Sequence, residues 1–134
     1  MQPHTMDTPT VLLVDDDLVF SELLTEILHE EGINVLVEHD GIHGIERARA
    51  EQPNLIVMDY MMPQMNGVQA LTHIRSQAWG FRLPVILLTN MNEPELQKQK
   101  PDSTAYTEVL LKTDWTLEHL SAHIREVLAS TAQG

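Results

Sequence analysis

Four of the apolar runs in this sequence are followed directly by polar side chains that are able to do chemistry. These side chains are the triplet Asp15-Asp16-Asp17, then Asp59, then the pair Thr89-Asn90, and finally Lys112. Carboxylates held close together repel one another, so one of them binds a proton unless a cation lies between them. A hard divalent ion such as Mg²⁺, which prefers carboxylate and water oxygens, relieves that repulsion. Together with a carboxylate nucleophile, a hydroxyl and an ammonium, such an ion forms a set suited to in-line phosphoryl transfer.

The positions of these side chains depend on the elements that carry them, and the sequence predicts five strands. Short continuous apolar runs, rich in β-branched residues, occupy positions 11–14, 35–37, 55–58, 85–88 and 109–111. Runs of this length and composition are typical of strands that are buried on both faces, as in a parallel sheet.

Helix-period patterns lie between the runs. Gly32 and Pro53 are placed to end the first two helices, because glycine suits a helix end and proline cannot continue a helix. The segment 93–100 gives the weakest pattern, since prolines flank it. The apolar faces of the other helices are Phe20, Leu23, Leu24, Ile27 and Leu28; Ile42, Ile45 and Ala48; Val68, Leu71 and Ile74; and Leu117, Leu120, Ile124, Val127 and Leu128.

Strands that alternate with helices indicate βαβ units and a doubly wound α/β domain, with helices on both faces of a parallel sheet. Ligands of such sheets bind beyond the carboxyl ends of the strands. The polar side chains that follow the runs are therefore expected to converge at one edge. Asp17 is the exception, because it is better placed to cap the first helix, as Asp114 or Thr116 is to cap the last.

The composition limits the class of protein. Hydrophobic residues make up 43% of the 134 residues, enough for the core of one domain, and the absence of cysteine excludes disulfides and thiolate sites. A net charge of −12 argues against direct binding to nucleic acid. No apolar run approaches the roughly 20 residues of a membrane span, and we expect a cytoplasmic protein. The expected organisation is a disordered lead at 1–9, one domain at 10–129, and a tail or linker start at 130–134.

Four segments of the sequence resemble the receiver domains of bacterial response regulators, over about positions 11–128. The pattern Asp-x-x-Met-Pro-x-x-x-Gly from Asp59 to Gly67, directly after an apolar strand, is highly specific. The four segments are Val11-Leu-Leu-Val-Asp-Asp-Asp17, Leu55-Ile-Val-Met-Asp-Tyr-Met-Met-Pro-Gln-Met-Asn-Gly67, Pro84-Val-Ile-Leu-Leu-Thr89 and Leu110-Leu-Lys112.

This resemblance implies a CheY-like, flavodoxin-like sheet of five parallel strands in the order 2-1-3-4-5. It implies that Asp59 accepts a phosphoryl group from a sensor histidine kinase or a phosphotransfer protein. The resemblance also assigns the other site residues: Asp15, Asp16 and Asp59 hold Mg²⁺ with the backbone carbonyl of Met61, and Thr89 and Lys112 contact the phosphoryl group. Phosphorylation is then expected to switch binding of a downstream protein partner or a fused output domain. Such a chain is a signalling switch rather than an enzyme, although it carries its own phosphorylation and dephosphorylation chemistry.

Three positions depart from the pattern of that family. Thr113 follows Lys112, where the family usually has a proline in a cis peptide, so the peptide is left open as cis or trans. Val109 stands where an aromatic ring usually turns inward, so an output switch must use another device. Asn90 stands where a small residue is usual, and we expect it to slow access of phosphodonors or water to the site.

Two other functions are compatible with parts of the sequence. The first is a receiver-like interaction module that works without phosphorylation, which the substitutions at Val109, Asn90 and Thr113 favour and the intact site residues oppose. The second is a Mg²⁺-dependent phosphatase with an aspartyl-phosphate intermediate. Such enzymes generally need a second Asp two residues after the nucleophile, and Met61 occupies that position.

Two pairs of histidines have the i,i+4 spacing of helical zinc ligands, His39 with His43 and His119 with His123. Neither pair has a third ligand in its motif, so exposed polar positions explain them better than a zinc site does.

Overall fold

The protein is described here by a computed structural model that covers residues 8–90 and 105–132. The helix expected at 93–100 lies outside these residues, as do positions 1–7 of the expected lead and positions 133–134 of the expected tail. None of the helices within the described ranges is both long and apolar enough to cross a bilayer.

A single parallel sheet of five strands forms the centre of the described structure. With the strands numbered along the chain, their order in the sheet is 2-1-3-4-5, which confirms the predicted doubly wound α/β topology. All four neighbouring pairs of strands run parallel. The strands are β1 (Thr10–Val14), β2 (Asn34–Glu38), β3 (Leu55–Asp59), β4 (Val85–Thr89) and β5 (Thr107–Leu111).

Helices cover both faces of this sheet, as predicted. Leu24 and Leu28 of the first helix pack with Ile124 of the last on one face. Leu71 and Ile74 of the third helix pack on the other. Each such buried Leu or Ile stabilises the fold by roughly 1.5–3 kcal/mol. The helices are α1 (Leu18–Glu30), α2 (Gly41–Glu51), α3 (Gly67–Arg75) and α4 (Leu117–Thr131), and α4 continues past the expected domain end at 129.

Polar side chains cap all four of these helices at their N-termini, which fixes where each helix begins. Asp17 accepts from the backbone N–H of Phe20 at 3.1 Å, so its predicted role as the cap of α1 is confirmed. Thr116, not Asp114, caps the last helix. The remaining caps are Asp40 for α2 and Asn66 for α3. Gly32 follows α1 with φ of +83°, a conformation that favours glycine, as predicted for the end of that helix.

Two predicted helix faces are narrower than the sequence suggested. Leu23 of α1 is 45% exposed and Ile42 of α2 is 44% exposed, whereas Leu24 and Ala48 on the same helices are fully buried. Only one stripe of each helix reaches the sheet, and these two side chains lie at its margin. Strand β2 is half-buried rather than buried on both faces, because it is an edge strand with one neighbour.

A half-buried arginine ties the end of α3 to the start of β5. The Nη1 of Arg75 donates to the carbonyls of Gly80 at 2.9 Å and Leu83 at 2.6 Å. Its Nη2 donates to the carbonyl of Tyr106 at 3.1 Å and to the Thr107 hydroxyl at 2.8 Å. Burial lowers the pKa of Arg75 to about 10, so the guanidinium remains charged at neutral pH.

We predict that Arg75→Lys lowers the free energy of unfolding by about 2 kcal/mol. Lysine keeps the charge but lacks the planar fork, so it leaves some of these acceptors unpaired. Urea unfolding measures the effect, with Arg49→Lys on the exposed side of α2 as the matched control, which is expected to change stability by less than about 0.5 kcal/mol. Equal stability of the two variants would contradict this role of Arg75.

Candidate functional site

The carboxyl ends of the strands bring the predicted acidic residues together. Asp15 and Asp16 follow β1, and Asp59 is the last residue of β3, the neighbour of β1 in the sheet. Carboxylate oxygens of these three residues all lie within 4.8 Å of one another. The convergence that the parallel topology predicts is therefore present in the structure.

Asp15 is held in one orientation from several sides. It is fully buried, and its Oδ1 accepts from the backbone N–H of Asp17 at 2.8 Å. Its Oδ2 accepts from Nζ of Lys112 at 2.9 Å. Its backbone N–H donates to the carbonyl of Glu38 at 3.0 Å, and its own carbonyl accepts from Nδ1 of His39 at 3.0 Å. Both carboxylate oxygens of Asp15 thus have protein partners, and any direct metal bond to Asp15 requires one of them to be shared.

Asp59 differs from Asp15, because one of its two carboxylate oxygens has no hydrogen-bond partner among the described residues. Asp59 is 5% exposed, and its Oδ1 has no hydrogen-bond partner within the described part of the chain. Burial raises the pKa of Asp59 to about 7, the negative charges of Asp15 and Asp16 act in the same direction, and Lys112 opposes them. At neutral pH this carboxyl group is therefore close to the midpoint of its titration.

Lys112 reaches the site from the far end of the sequence. The chain forms a short 3₁₀ turn over Lys112–Asp114, directly after β5, and the Lys112–Thr113 peptide is trans. The lysine side chain is only 12% exposed, and its ammonium group is paired with Asp15. The sequence left open whether the peptide between Lys112 and Thr113 is cis or trans. In the structure Lys112 enters the site from a trans peptide.

The other predicted site residues lie around this cluster. Thr89 ends β4 and is 3% exposed, one residue after Leu88, which pairs with Asp59 across the sheet. Asn90, directly beyond it, is exposed. Met61 lies two residues past Asp59 with a side chain that is 53% exposed, and the predicted role of its carbonyl as a metal ligand stays a prediction.

The loop between β3 and α3 folds tightly onto the backbone of Asp59. A Cβ atom at Gly67 would lie 2.8 Å from the carbonyl oxygen of Asp59, closer than Cβ atoms approach other heavy atoms in proteins. The backbone N–H of Gly67 donates to the carbonyl of Tyr60 at 2.8 Å. Only glycine permits this approach, which explains in physical terms why glycine occupies position 67 of the motif.

The donor set at this edge fits a hard divalent cation such as Mg²⁺. It consists of carboxylate oxygens without sulfur or nitrogen ligands, and Asp59 offers an oxygen without a partner among the described residues. A cation between the carboxylates would also offset the charges of Asp15 and Asp16, which add to the effect of burial in raising the pKa of Asp59. Asp16 and Asp59, with Asp15 beside them, are the carboxylates that would hold the ion.

The histidine pairs do not form a comparable cluster. Within the described residues, the acidic triad is the only group of three or more potential ligands within bonding distance of one ion. His43 contacts its own helix cap, Asp40, at 2.7 Å. His123 contacts Glu108 at 2.7 Å.

Two residues near the site were not identified as site neighbours from the sequence. His39 follows β2 at the same edge of the sheet as the acidic residues, so the strand-end rule could have identified it. Phe20 was assigned only to the apolar face of α1, but the ammonium of Lys112 lies over its ring. No local pattern signals that second contact, because its partners are far apart in the sequence.

The raised pKa of Asp59 gives a prediction for the metal-free protein. The folded-state pKa of about 7 lies above the ordinary value of an unfolded Asp, about 3.9. Between these values the folded chain holds more protons than the unfolded chain, so this group lowers stability as the pH rises toward 7. We expect Asp59→Asn in EDTA to be more stable than the unaltered protein by up to about 4 kcal/mol at pH 8 and by up to about 1.5 kcal/mol at pH 5.

Urea unfolding at the two pH values measures this difference, because titrations shared by both proteins cancel. Asp114→Asn, at an exposed position outside the acidic triad, is the matched control and is expected to show little pH-dependent change. A stability difference for Asp59→Asn that is the same at pH 5 and pH 8 would contradict the raised pKa.

Comparison with known proteins agrees with this geometry. The family model for the response regulator receiver domain matches residues 11–125. The response regulator MprA of Mycobacterium ulcerans is 31% identical over 121 residues, which make up 90% of this chain and 50% of that protein. The probable transcriptional regulatory protein TcrX of Mycobacterium tuberculosis is 42% identical over 80 residues, 60% of this chain and 33% of that protein. The chain thus spans half or less of the length of these two relatives.

Solved structures give the same assignment. The receiver domain of the Francisella response regulator 1452 has a TM-score of 0.77 at 26% identity, covering 92% of this chain and 99% of that one. The Vibrio cholerae chemotaxis protein CheY4 has a TM-score of 0.80 at 26% identity, covering 90% and 99%. With the acidic triad at the strand ends, these matches show that the chain belongs to the response regulator receiver domains of two-component systems.

Proposed function

We propose that this receiver accepts a phosphoryl group on Asp59 in a Mg²⁺-dependent reaction and thereby changes its affinity for a protein partner. The environment of Asp59 is the observation that carries the proposal. Its carboxylate is buried, one of its oxygens has no hydrogen-bond partner among the described residues, and two further carboxylates lie within 4.8 Å. Such a group would act as the nucleophile once it is ionised, and a cation held beside it would lower its pKa, so that its proton passes to solvent water.

In the proposed transfer, an oxygen of Asp59 forms a bond to phosphorus, and the bond from phosphorus to the imidazole nitrogen of the donor's phosphohistidine breaks. That nitrogen keeps the bonding electron pair, and the product on this chain is an acyl phosphate. Mg²⁺ held by the acidic triad would supply positive charge to offset the charge that develops during the transfer. Lys112 and the hydroxyl of Thr89 pair with the remaining phosphoryl oxygens, a role supported by their location at the ends of β5 and β4.

The partners in this proposal follow from the family. A sensor histidine kinase or a phosphotransfer protein is the donor, and a downstream protein or a fused output domain receives the signal. We also propose that the exchange takes place in the cytoplasm. The chain acts as a switch with its own phosphorylation and dephosphorylation chemistry, rather than as an enzyme with a separate substrate. Its net charge of −12 argues against direct contact with nucleic acid.

A receiver-like module that binds partners without phosphorylation is the second candidate. Val109 favours it, because a half-buried valine on β5 has no ring that could turn in response to the site. The contact of Lys112 with Asp15 weakens the case for this second candidate. Although Thr113 stands where the family usually has proline, the lysine still reaches the site.

We predict that the protein gains the mass of one phosphoryl group when it is incubated with acetyl phosphate and Mg²⁺. Intact mass spectrometry measures the gain, which is expected to be absent in Asp59→Asn and in EDTA. Asp114→Asn is the control and should be modified like the unaltered protein. A folded protein that gains no mass under any of these conditions would refute the phosphoryl-transfer proposal and favour the interaction module.

A further inference from the structure

The ammonium of Lys112 contacts both an anion and an aromatic ring. Its Nζ is 2.9 Å from Oδ2 of Asp15 and 4.0 Å from the centroid of the Phe20 ring. A cation within about 6 Å of a ring centroid is attracted by the negative face of the ring, and the attraction is stronger where water is excluded. The lysine side chain is 12% exposed, so this ammonium is largely shielded from solvent.

The ring of Phe20 is itself held in place by the first turn of α1. The backbone N–H of Phe20 donates to Oδ1 of the cap residue Asp17 at 3.1 Å. The hydroxyl of Ser21 donates to the carbonyl of Asp17 at 2.9 Å. The ring also packs against the core cluster between α1, α4 and the sheet. Phe20 therefore presents a fixed surface to Lys112 rather than a mobile one.

The backbone that carries Lys112 has less support of its own. Lys112 begins a 3₁₀ turn of three residues that lacks a side-chain cap, and the residue after it, Thr113, is exposed. A lysine stem has four rotatable bonds, so one ion pair restricts it only in part. A second contact with the ammonium, in addition to this ion pair, would hold the group at the site.

We propose that Phe20 is a positioning residue for Lys112, and that its ring holds the ammonium beside Asp15, within reach of a phosphoryl group on Asp59. The expected effect on the rate of phosphorylation rests on the proposed function. The contact between Phe20 and Lys112 does not depend on it. Without the ring, the ammonium samples positions toward solvent, and the rate of phosphorylation by a small donor is expected to fall roughly 3- to 30-fold.

Fluorinated phenylalanines test the proposal with only a small change in the size of the ring. The chain has two phenylalanines, Phe20 and Phe81. When a fluorinated phenylalanine is incorporated biosynthetically into the Phe81→Leu variant, it therefore occupies position 20 alone. Phe81 is 48% exposed and packs outside both core clusters, so this background is expected to fold normally. Each added fluorine weakens the negative face of the ring, and the rate with acetyl phosphate and Mg²⁺ is expected to fall stepwise.

The matched control uses the same analogues in Phe20→Leu, where only Phe81 is fluorinated and the rate should not depend on fluorine content. Phe20→Tyr, which keeps an aromatic face, is expected to retain most of the rate that Phe20→Leu loses. A rate that is independent of fluorination at position 20 would overturn the proposal, because a role in packing alone depends on shape and not on the electrons of the ring.

A double-mutant cycle with Phe20→Leu and Lys112→Met separates this inference from the proposed function. Urea unfolding of the four proteins gives the coupling between ring and ammonium without any phosphorylation. We expect a coupling of about 3- to 10-fold in the unfolding equilibrium constant. If the two substitutions have additive effects on the free energy of unfolding, the ring and the ammonium do not interact. That result would overturn the inference even if the protein is phosphorylated. If Lys112→Met does not fold, unfolding of the fluorinated series with Lys112 intact gives the same test.

Discussion

Repulsion among three carboxylates is the constraint on which this edge of the sheet depends. Oxygens of Asp15, Asp16 and Asp59 lie within 4.8 Å of one another, and Asp15 and Asp59 are buried. Buried like charges destabilise a fold unless a proton or an opposite charge compensates them. Lys112 compensates Asp15 at 2.9 Å, whereas Asp59 has no ion pair of its own among the described residues. Burial of Asp59, together with the negative charges of Asp15 and Asp16, raises its pKa to about 7. Asp59 is therefore the group whose charge state a cation or a proton changes.

The rest of the fold keeps this unfavourable arrangement in place. Strand β1 lies between β2 and β3, so the residue after β1 and the last residue of β3 meet at one edge. Helices pack on both faces of the sheet. The carboxylate of Asp15 accepts from the backbone N–H of Asp17, and its own backbone N–H donates to the carbonyl of Glu38. Gly67 allows the loop between β3 and α3 to fold onto the backbone of Asp59. Reactive groups at the ends of packed strands keep their geometry better than groups on loops.

Most of the fold, and the membership of the acidic cluster, could be predicted from the sequence. Strands β1, β3 and β4 extend only one residue beyond their apolar runs. The edge strands β2 and β5 extend further, through polar residues such as Asn34 and Glu108, because an edge strand tolerates side chains that face solvent. Contacts such as Lys112 with Phe20, or Arg75 with Tyr106, were not predictable. They join distant segments through side-chain packing, which leaves no periodic signal in the sequence.

A titration of the Asp59 carboxyl carbon by ¹³C NMR tests the central claim most directly. The signal is assigned by its loss in Asp59→Asn, and the titration is run in EDTA and again with saturating Mg²⁺. The account predicts a midpoint near 7 without metal, where burial and the neighbouring carboxylates act unopposed by a divalent ion, and a clearly lower midpoint with Mg²⁺. A metal-free midpoint near the ordinary value of about 4, or one that Mg²⁺ leaves unchanged, would contradict it.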